Sequence, residues 1–99
     1  MKEIFDHINK AFENKVRLGV MSVLMVNDWY DFKSLKSLLD LSDGNLASHT
    51  SALELAGNIE VKKEFVDKRP KTSYRATLEG RKAFQEHLNA LEKIIRKQH

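Results

Sequence analysis

The stretch that decides the fold runs Asp31-Phe32-Lys33-Ser34-Leu35-Lys36-Ser37-Leu38-Leu39-Asp40-Leu41-Ser42-Asp43-Gly44-Asn45-Leu46-Ala47-Ser48-His49-Thr50-Ser51-Ala52-Leu53-Glu54-Leu55-Ala56-Gly57. It reads as two helices joined by a tight turn. Asp31 is a candidate N-cap, and Phe32, Leu35, Leu38 and Leu39 then recur at i, i+3, i+6 and i+7 on one face. Asp40-Leu41 leaves room only for a short turn. Ser42 carries the short hydroxyl that accepts a hydrogen bond from a free N–H at the start of a second helix. Leu46, Thr50, Leu53 and Ala56 form the inner stripe of that helix. Gly57 stands where the chain leaves a helix with positive φ, a conformation glycine adopts without steric cost.

Downstream the period changes. Ile59, Val61 and Phe65 follow the alternation of a strand, with Lys62 and Glu64 pointing the other way. Val66 to Lys71 reads as a polar loop around Pro70, the single proline. Thr72 to Ala76 alternates again, with Tyr74 and Ala76 on one face and Ser73 and Arg75 on the other, so the two runs form a hairpin with a basic tip. Thr77 can cap a long last helix, Leu78 to about Lys97, in which Phe84, Leu88, Leu91 and Ile95 make a heptad-type seam widened by Ala83, Ala90 and Ile94.

Upstream, Asn14 can cap a helix from Lys15 to about Val26. That helix is apolar on nearly every side, with Arg17 its main polar exception, and is expected to be buried on two faces. Ile4, Phe5, Ile8, Ala11 and Phe12 mark a short amphipathic helix before it, about residues 4–13. The expectation is one domain over residues 1–99, mainly α with a small β-hairpin (α+β).

Composition sets further bounds. A hydrophobic fraction of 41% with 31% charged residues is globular rather than disordered. Ninety-nine residues bury only a modest core, and self-association is a common way to add to it. There is no cysteine, which excludes disulfides, thiolate metal sites and cysteine catalysis. No apolar run is long enough for a membrane span, and Met1 to His7 lacks the apolar core of a signal peptide, so a cytoplasmic protein is expected. Charge is segregated. Residues 1–60 hold six lysines and arginines against nine acids, whereas residues 61–75 hold six (Lys62, Lys63, Lys68, Arg69, Lys71, Arg75) against only Glu64 and Asp67. Such a cluster is either a polyanion footprint or a solvated charged loop.

Taken in order, these segments resemble the winged helix-turn-helix of small bacterial and archaeal transcription regulators related to the MarR and ArsR groups. The likeness rests on Asn14-Lys15-Val16-Arg17-Leu18, on Leu41 to His49 with Leu53-Glu54-Leu55-Ala56-Gly57, and on Phe65 to Arg81 with its Arg69-Pro70 pair and Thr77-Leu78-Glu79-Gly80. It covers about residues 5–95. It implies a helix-turn-helix over about 31–57, a wing over about 58–77, and terminal helices (about 4–13 and 78–97) that dimerise. It also implies a homodimer that binds a roughly palindromic double-stranded DNA site, with the recognition helix in the major groove and the basic wing on phosphates or in the minor groove.

On that reading each candidate contact has a chemical reason. At roughly 100° per residue, Asn45, Ser48, Ser51, Ala52 and Leu55 face outward on the recognition helix, with His49 on the flank. Asn45 suits a bidentate bond to adenine, Ser48 bonds either base type, and His49 can donate to a base or a phosphate. Ser42 has free N–H groups behind it that favour a phosphate oxygen. The plainer roles are a cap for Ser42 and gap-filling for His49. Lys68, Arg69 and Lys71 surround Pro70 at the wing, and an arginine there suits a narrow minor groove. Lys62 and Thr72 complete the expected DNA set, with Lys63 and Arg75 also able to reach phosphates. The Phe84–Ile95 seam can be plain intrachain core, but a helix of about 30 Å exceeds what the small head can cover, so the expected dimer interface is Phe5, Ile8, Phe12, Phe84, Leu88, Leu91 and Ile95.

One departure from the resemblance matters. The segment Ser42–Gly57 has no lysine or arginine and carries Asp43 and Glu54, with Leu55 outward. Phosphate binding must then come mostly from the wing and the helix N-termini, with Arg17, Lys33 and Lys36 as further sources. The alternative reading is a winged-helix protein–protein interaction module without DNA binding. No phosphate loop, nucleophile elbow or paired-carboxylate motif is present, so neither an enzyme nor a cofactor is expected. The histidines (His7, His49, His87, His99) are far apart, and only Glu86-His87 hints at a metal, so no metal site is expected. Met25, Trp29 and Tyr30 are the candidates to line an effector pocket, of unknown ligand, and core packing explains them equally well.

Overall fold

A computed structural model of the chain describes residues 9–12 and 14–97. A single 3-10 turn, Lys10–Phe12, precedes α1 (Lys15–Met25), and β1 (Tyr30–Asp31) leads into α2 (Phe32–Leu39) and α3 (Asp43–Leu55). The hairpin β2 (Ile59–Val66) and β3 (Arg69–Ala76) follows, and α4 (Leu78–Lys97) ends the fold. The expected helix over 4–13, with Phe5 and Ile8, lies largely outside the described residues.

Each helix starts where a short polar side chain can satisfy its free N–H groups. Asn14 accepts from Val16 N at 2.8 Å, Asp31 from Ser34 N at 3.0 Å, Ser42 from Asn45 N at 3.2 Å, and Thr77 from Gly80 N at 2.8 Å. Such caps contribute about 1 kcal/mol each. Between α2 and α3, Asp40 takes a left-handed conformation (φ 54°), and Leu41 N closes the turn on Lys36 O at 3.0 Å. Lys36 Nζ then clips the turn to Asp43 at 2.7 Å.

One core holds the head together. Val20, Met21 and Leu24 of α1, Leu35 of α2, and Leu46 and Leu53 of α3 are fully buried. Ile59, Tyr74 and Ala76 close the core from the sheet, and Phe12 and Phe84 from its far end. α1 is buried along one side and partly along a second, through Leu18, Val23 and Met25, while Val26 emerges into solvent.

The sheet adds a strand to the expected hairpin. β1 pairs with β3 (Tyr30↔Tyr74, Asp31↔Ser73), giving the antiparallel order β1-β3-β2. The expected loop Val66–Lys71 is mostly strand. Val66 pairs with Arg69 and Phe65 with Pro70, so only Asp67 and Lys68 form the turn, both with positive φ (53° and 66°). A two-residue turn of this hand matches the twist of the strands it joins. Pro70 is tolerated in a strand because the β1 pairing stops at Asp31↔Ser73 and, among the described residues, no third strand runs beside Pro70.

The wing is set against the helices by a close backbone approach. Thr77 Oγ1 donates to Gly57 O at 2.7 Å, and Thr77 N donates to Asn58 O at 3.0 Å. A Cβ on Gly80 would lie 2.7 Å from the Asn58 carbonyl carbon, so only glycine lets α4 start there. Gly57 itself has φ 81°.

Candidate nucleic-acid interface

The outer face of α3 is built by what its inner face anchors. Leu46, Thr50 and Leu53 are buried, so the helix phase turns Asn45, Ser48, Ser51 and Leu55 to solvent. Leu55 is 91% exposed, an unusual position for leucine on a folded surface. Ala56, expected inward, is exposed at the helix end. The Ser42 oxygen serves as the cap of α3, and Asp43 occupies the first turn with Lys36 paired to it. His49 is half-buried on one flank, where its Nδ1 accepts from Arg17 Nε at 3.1 Å.

The opposite flank of α3 meets the hairpin across a cleft of about 310 Å³, lined by Ala47, Ser51 and Glu54 on one side and Lys63 and Thr72 on the other. Tyr74 forms its floor, with its hydroxyl 3.4 Å from Thr50 Oγ1, which itself donates to Leu46 O at 2.9 Å. Burial pushes the Tyr74 phenol above its usual pKa; the Thr50 hydrogen bond opposes this and the Glu54 charge adds to it. The group therefore stays a neutral hydrogen-bonding phenol.

Cross-strand pairing sorts the wing residues by face. The face continuous with the core reads Ile59↔Ala76, Val61↔Tyr74, Lys63↔Thr72, Phe65↔Pro70. The other reads Glu60↔Arg75, Lys62↔Ser73, Glu64↔Lys71, Val66↔Arg69. Lys62 lies on this second face, as the alternation expected. It turns away from α3 and stands over Trp29, its Nζ 4.4 Å from the ring centroid, with the Arg75 guanidinium carbon also at 4.4 Å. Arg75 is further tied to Glu60 and to Asp28. Two of the six cations in residues 61–75 are thus held by Trp29 and its acidic neighbours. Lys63 takes the position beside α3, and the alternation from Ile59 and Val61 carried that signal. The same alternation put Phe65 on the core side, but the hairpin outruns the head there and Phe65 is 79% exposed.

Lys68 and Arg69 are exposed at the tip. Below them a second cleft of about 410 Å³ opens between the wing and the start of α2, with Lys33, Arg69 and Lys71 around it and Phe32 and Asp31 at its base. Burial raises the Asp31 pKa, but hydrogen bonds from the Ser34 hydroxyl and N–H, with the Lys71 charge behind them, bring it below the usual carboxylate value. Of the residues expected to line an effector pocket, Trp29 lies against the Lys62 and Arg75 cations and Tyr30 is paired in β1.

The expected dimer residues divide. Phe12 and Phe84 are buried within the chain, with ring centroids 5.2 Å apart at 82°, and so are not available to a partner. Phe12 ends the 3-10 turn, and it is this ring that packs on Phe84 of α4. His87 is buried against both rings, and its Nδ1 accepts from Asn9 N at 3.1 Å, while the adjacent Glu86 is exposed. Leu88, Leu91 and Ile95 remain partly to largely exposed, the last at 60%. Among the described residues no three acidic or histidine side chains gather as a metal site, and no helix is long and apolar enough to cross a membrane.

Comparison with known proteins agrees with this architecture. The winged helix DNA-binding domain family matches residues 16–95. An uncharacterized protein of Methanocaldococcus jannaschii is 37% identical over 79 residues, which span 80% of this chain and 86% of its own. A transcriptional regulator homologue from Pyrococcus horikoshii OT3 superposes with a TM-score of 0.90 at 31% identity, covering 99% of this chain and 98% of that one. HlyU from Vibrio cholerae superposes at 0.67 with 26% identity, covering 91% and 92%. The expected likeness to small winged-helix regulators and the mainly helical fold with a hairpin wing are both borne out.

Proposed function

Since the chain belongs to the winged helix DNA-binding domain family, we propose that it is a transcription regulator that binds double-stranded DNA as a homodimer. One observation carries the reading: α3 and the cation-bearing hairpin face are solvent-exposed neighbours on one side of the head, a helix that fits a major groove beside a wing that fits the backbone. Asn45 and Ser48 are exposed for base edges, with His49 and the cap of Ser42 toward the groove walls. Lys63, Lys68, Arg69, Lys71 and Thr72 supply the backbone contacts, with Lys33 from α2. Dimerisation runs through Leu88, Leu91 and Ile95 of α4, an apolar stripe that the chain leaves partly uncovered.

The test is titration of random-sequence duplex with the full chain at several salt concentrations. A steep linear fall of log K with log salt is expected. Selection of bound fragments from a random duplex pool then gives a site with two-fold symmetry. Sedimentation at micromolar concentration is expected to give a dimer, and a monomer would remove the α4 interface. The exposure of Leu55 and Phe65 favours a second reading, a protein-binding module. Absence of duplex binding even at low salt would select it.

A further inference from the structure

A helix lying in the major groove has a sugar–phosphate strand on each side. The groove is about 12 Å wide and a helix with its side chains about 10–12 Å across, so both flanks come within reach of phosphates. The hairpin serves one flank of α3, through Lys63 and Thr72 opposite Ala47, Ser51 and Glu54. The other flank carries Asn45, His49 and Ala52. α3 has no lysine or arginine of its own to use there. The cation comes instead from α1: Arg17 reaches across to His49, with Nε donating to Nδ1 at 3.1 Å.

That bond has two consequences. Arginine Nε–H can only donate, so His49 Nδ1 must be the bare nitrogen and the ring proton must sit on Nε2. Arg17 thereby fixes both the tautomer and the orientation of a donor on the flank of α3. In turn the bond occupies only Nε of Arg17; among the described residues nothing accepts from its two Nη groups. Both side chains are half-buried, which limits the freedom they lose on meeting a ligand. Planar guanidinium N–H groups beside an imidazole N–H match the tetrahedral oxygens of a phosphodiester.

We infer that Arg17 and His49 form a two-residue phosphate clamp on the flank of α3 opposite the wing, with Arg17 both a ligand to the phosphate and the positioning residue for His49. This rests on the proposed reading of α3 and the hairpin as a duplex interface. The clamp gives a helix without lysine or arginine a cation on the side the wing cannot reach, so α3 is held from both strands.

The experiment combines duplex titration across salt with the ¹⁵N spectrum of the His49 imidazole, on the full chain. Wild type is expected to show the Nε2–H tautomer. Arg17→Gln should lower duplex affinity roughly tenfold and reduce the slope of log K against log salt by about 1. His49→Ala should lower affinity several-fold with the slope kept, since Arg17 remains to supply the cation. The double variant should be little weaker than Arg17→Gln alone, because His49 acts only when held. Arg17→Lys should keep the slope but release the tautomer. Thermal melts show that each variant is folded at the titration temperature. If wild type binds duplex and these variants bind equally with unchanged slope, the clamp is wrong and the duplex reading stands. An Nδ1–H tautomer in wild type overturns the positioning bond. Failure of wild type to bind duplex at low salt overturns the duplex reading and the clamp with it.

Discussion

The helix α3 and the hairpin β2–β3 are consecutive in the chain and built on opposite plans. α3 is anchored: Leu46, Thr50 and Leu53 are buried, and its outward face is neutral to acidic. The hairpin is anchored only at its base, by Ile59, Tyr74 and Ala76, and its outer half is largely exposed and carries Lys63, Lys68, Arg69 and Lys71. The difference teaches that shape and charge are supplied by separate elements. A rigid uncharged helix can distinguish base edges through short polar side chains but attracts no polyanion. A protruding hairpin attracts one but has few contacts that hold it in register. Joining the two at a fixed angle is therefore as important as either.

The largest effect is expected at that joint. Gly80→Ala forces a Cβ into the Asn58 carbonyl group. Backbone cannot yield as a side chain does, so a loss of about 3 kcal/mol is expected, at the upper end of overpacking costs. Thermal unfolding should register it as a fall of roughly 12 °C or more. An unchanged Tm would mean that α4 and the wing are not rigidly joined.

Next in size is the charge of the wing. Arg69→Ala with Lys71→Ala is expected to weaken duplex binding roughly ten- to hundredfold at low salt and to reduce the salt slope by about 2, with stability unchanged. If affinity is unaltered, the wing does not carry the phosphate contacts and the contrast with α3 collapses.

The two faces of the hairpin offer a finer comparison. Lys63→Ala is expected to weaken binding several-fold, while Lys62→Ala, which loses only a partner of Trp29, should leave binding unchanged and cost stability about 0.5–1 kcal/mol. Reversed results would put the DNA on the Trp29 side of the sheet.

Lys68 separates stability from affinity. It holds φ 66° where glycine meets no steric penalty. Lys68→Gly should stabilise the fold by about 1 kcal/mol while weakening duplex binding. A variant that gains stability and keeps full affinity would leave the strain without a purpose.

The smallest effect is at Asp31, whose pKa is lowered in the folded chain. A lowered folded pKa means the unfolded chain binds the proton more tightly, so the carboxylate's stabilisation is complete above the unfolded value of about 3.9 and is lost as pH falls through the folded value. Asparagine caps a helix nearly as well as aspartate. The Asp31→Asn variant should therefore lose less than about 1 kcal/mol at neutral pH and flatten the acid limb of the stability curve below about pH 4.

Much of this is legible in the residues alone. The caps Asn14, Asp31, Ser42 and Thr77, the positive φ of Gly57, and the inner stripe Leu46, Thr50, Leu53 depend on neighbours within a few residues, and the chain states them directly. The order of elements, and with it the family, follows from the same local signals. What escaped was set by partners distant in sequence. β1 is two residues long and exists only because β3 lies beside it. Phe12 and Phe84, read as a surface for a second copy, are buried against each other within the chain.

The division is a matter of range. Sequence by itself determined which segments are helix or strand, where each begins, and that the positive charge gathers in the hairpin, because capping, periodicity and composition act locally. Only the tertiary structure decided which of those charges are free. Lys62 and Arg75 are drawn onto Trp29 and Lys36 onto Asp43, whereas Arg17 meets His49, 32 residues away, through its Nε alone. A charge is available to DNA only if no closer partner holds it, and such partners are chosen by packing.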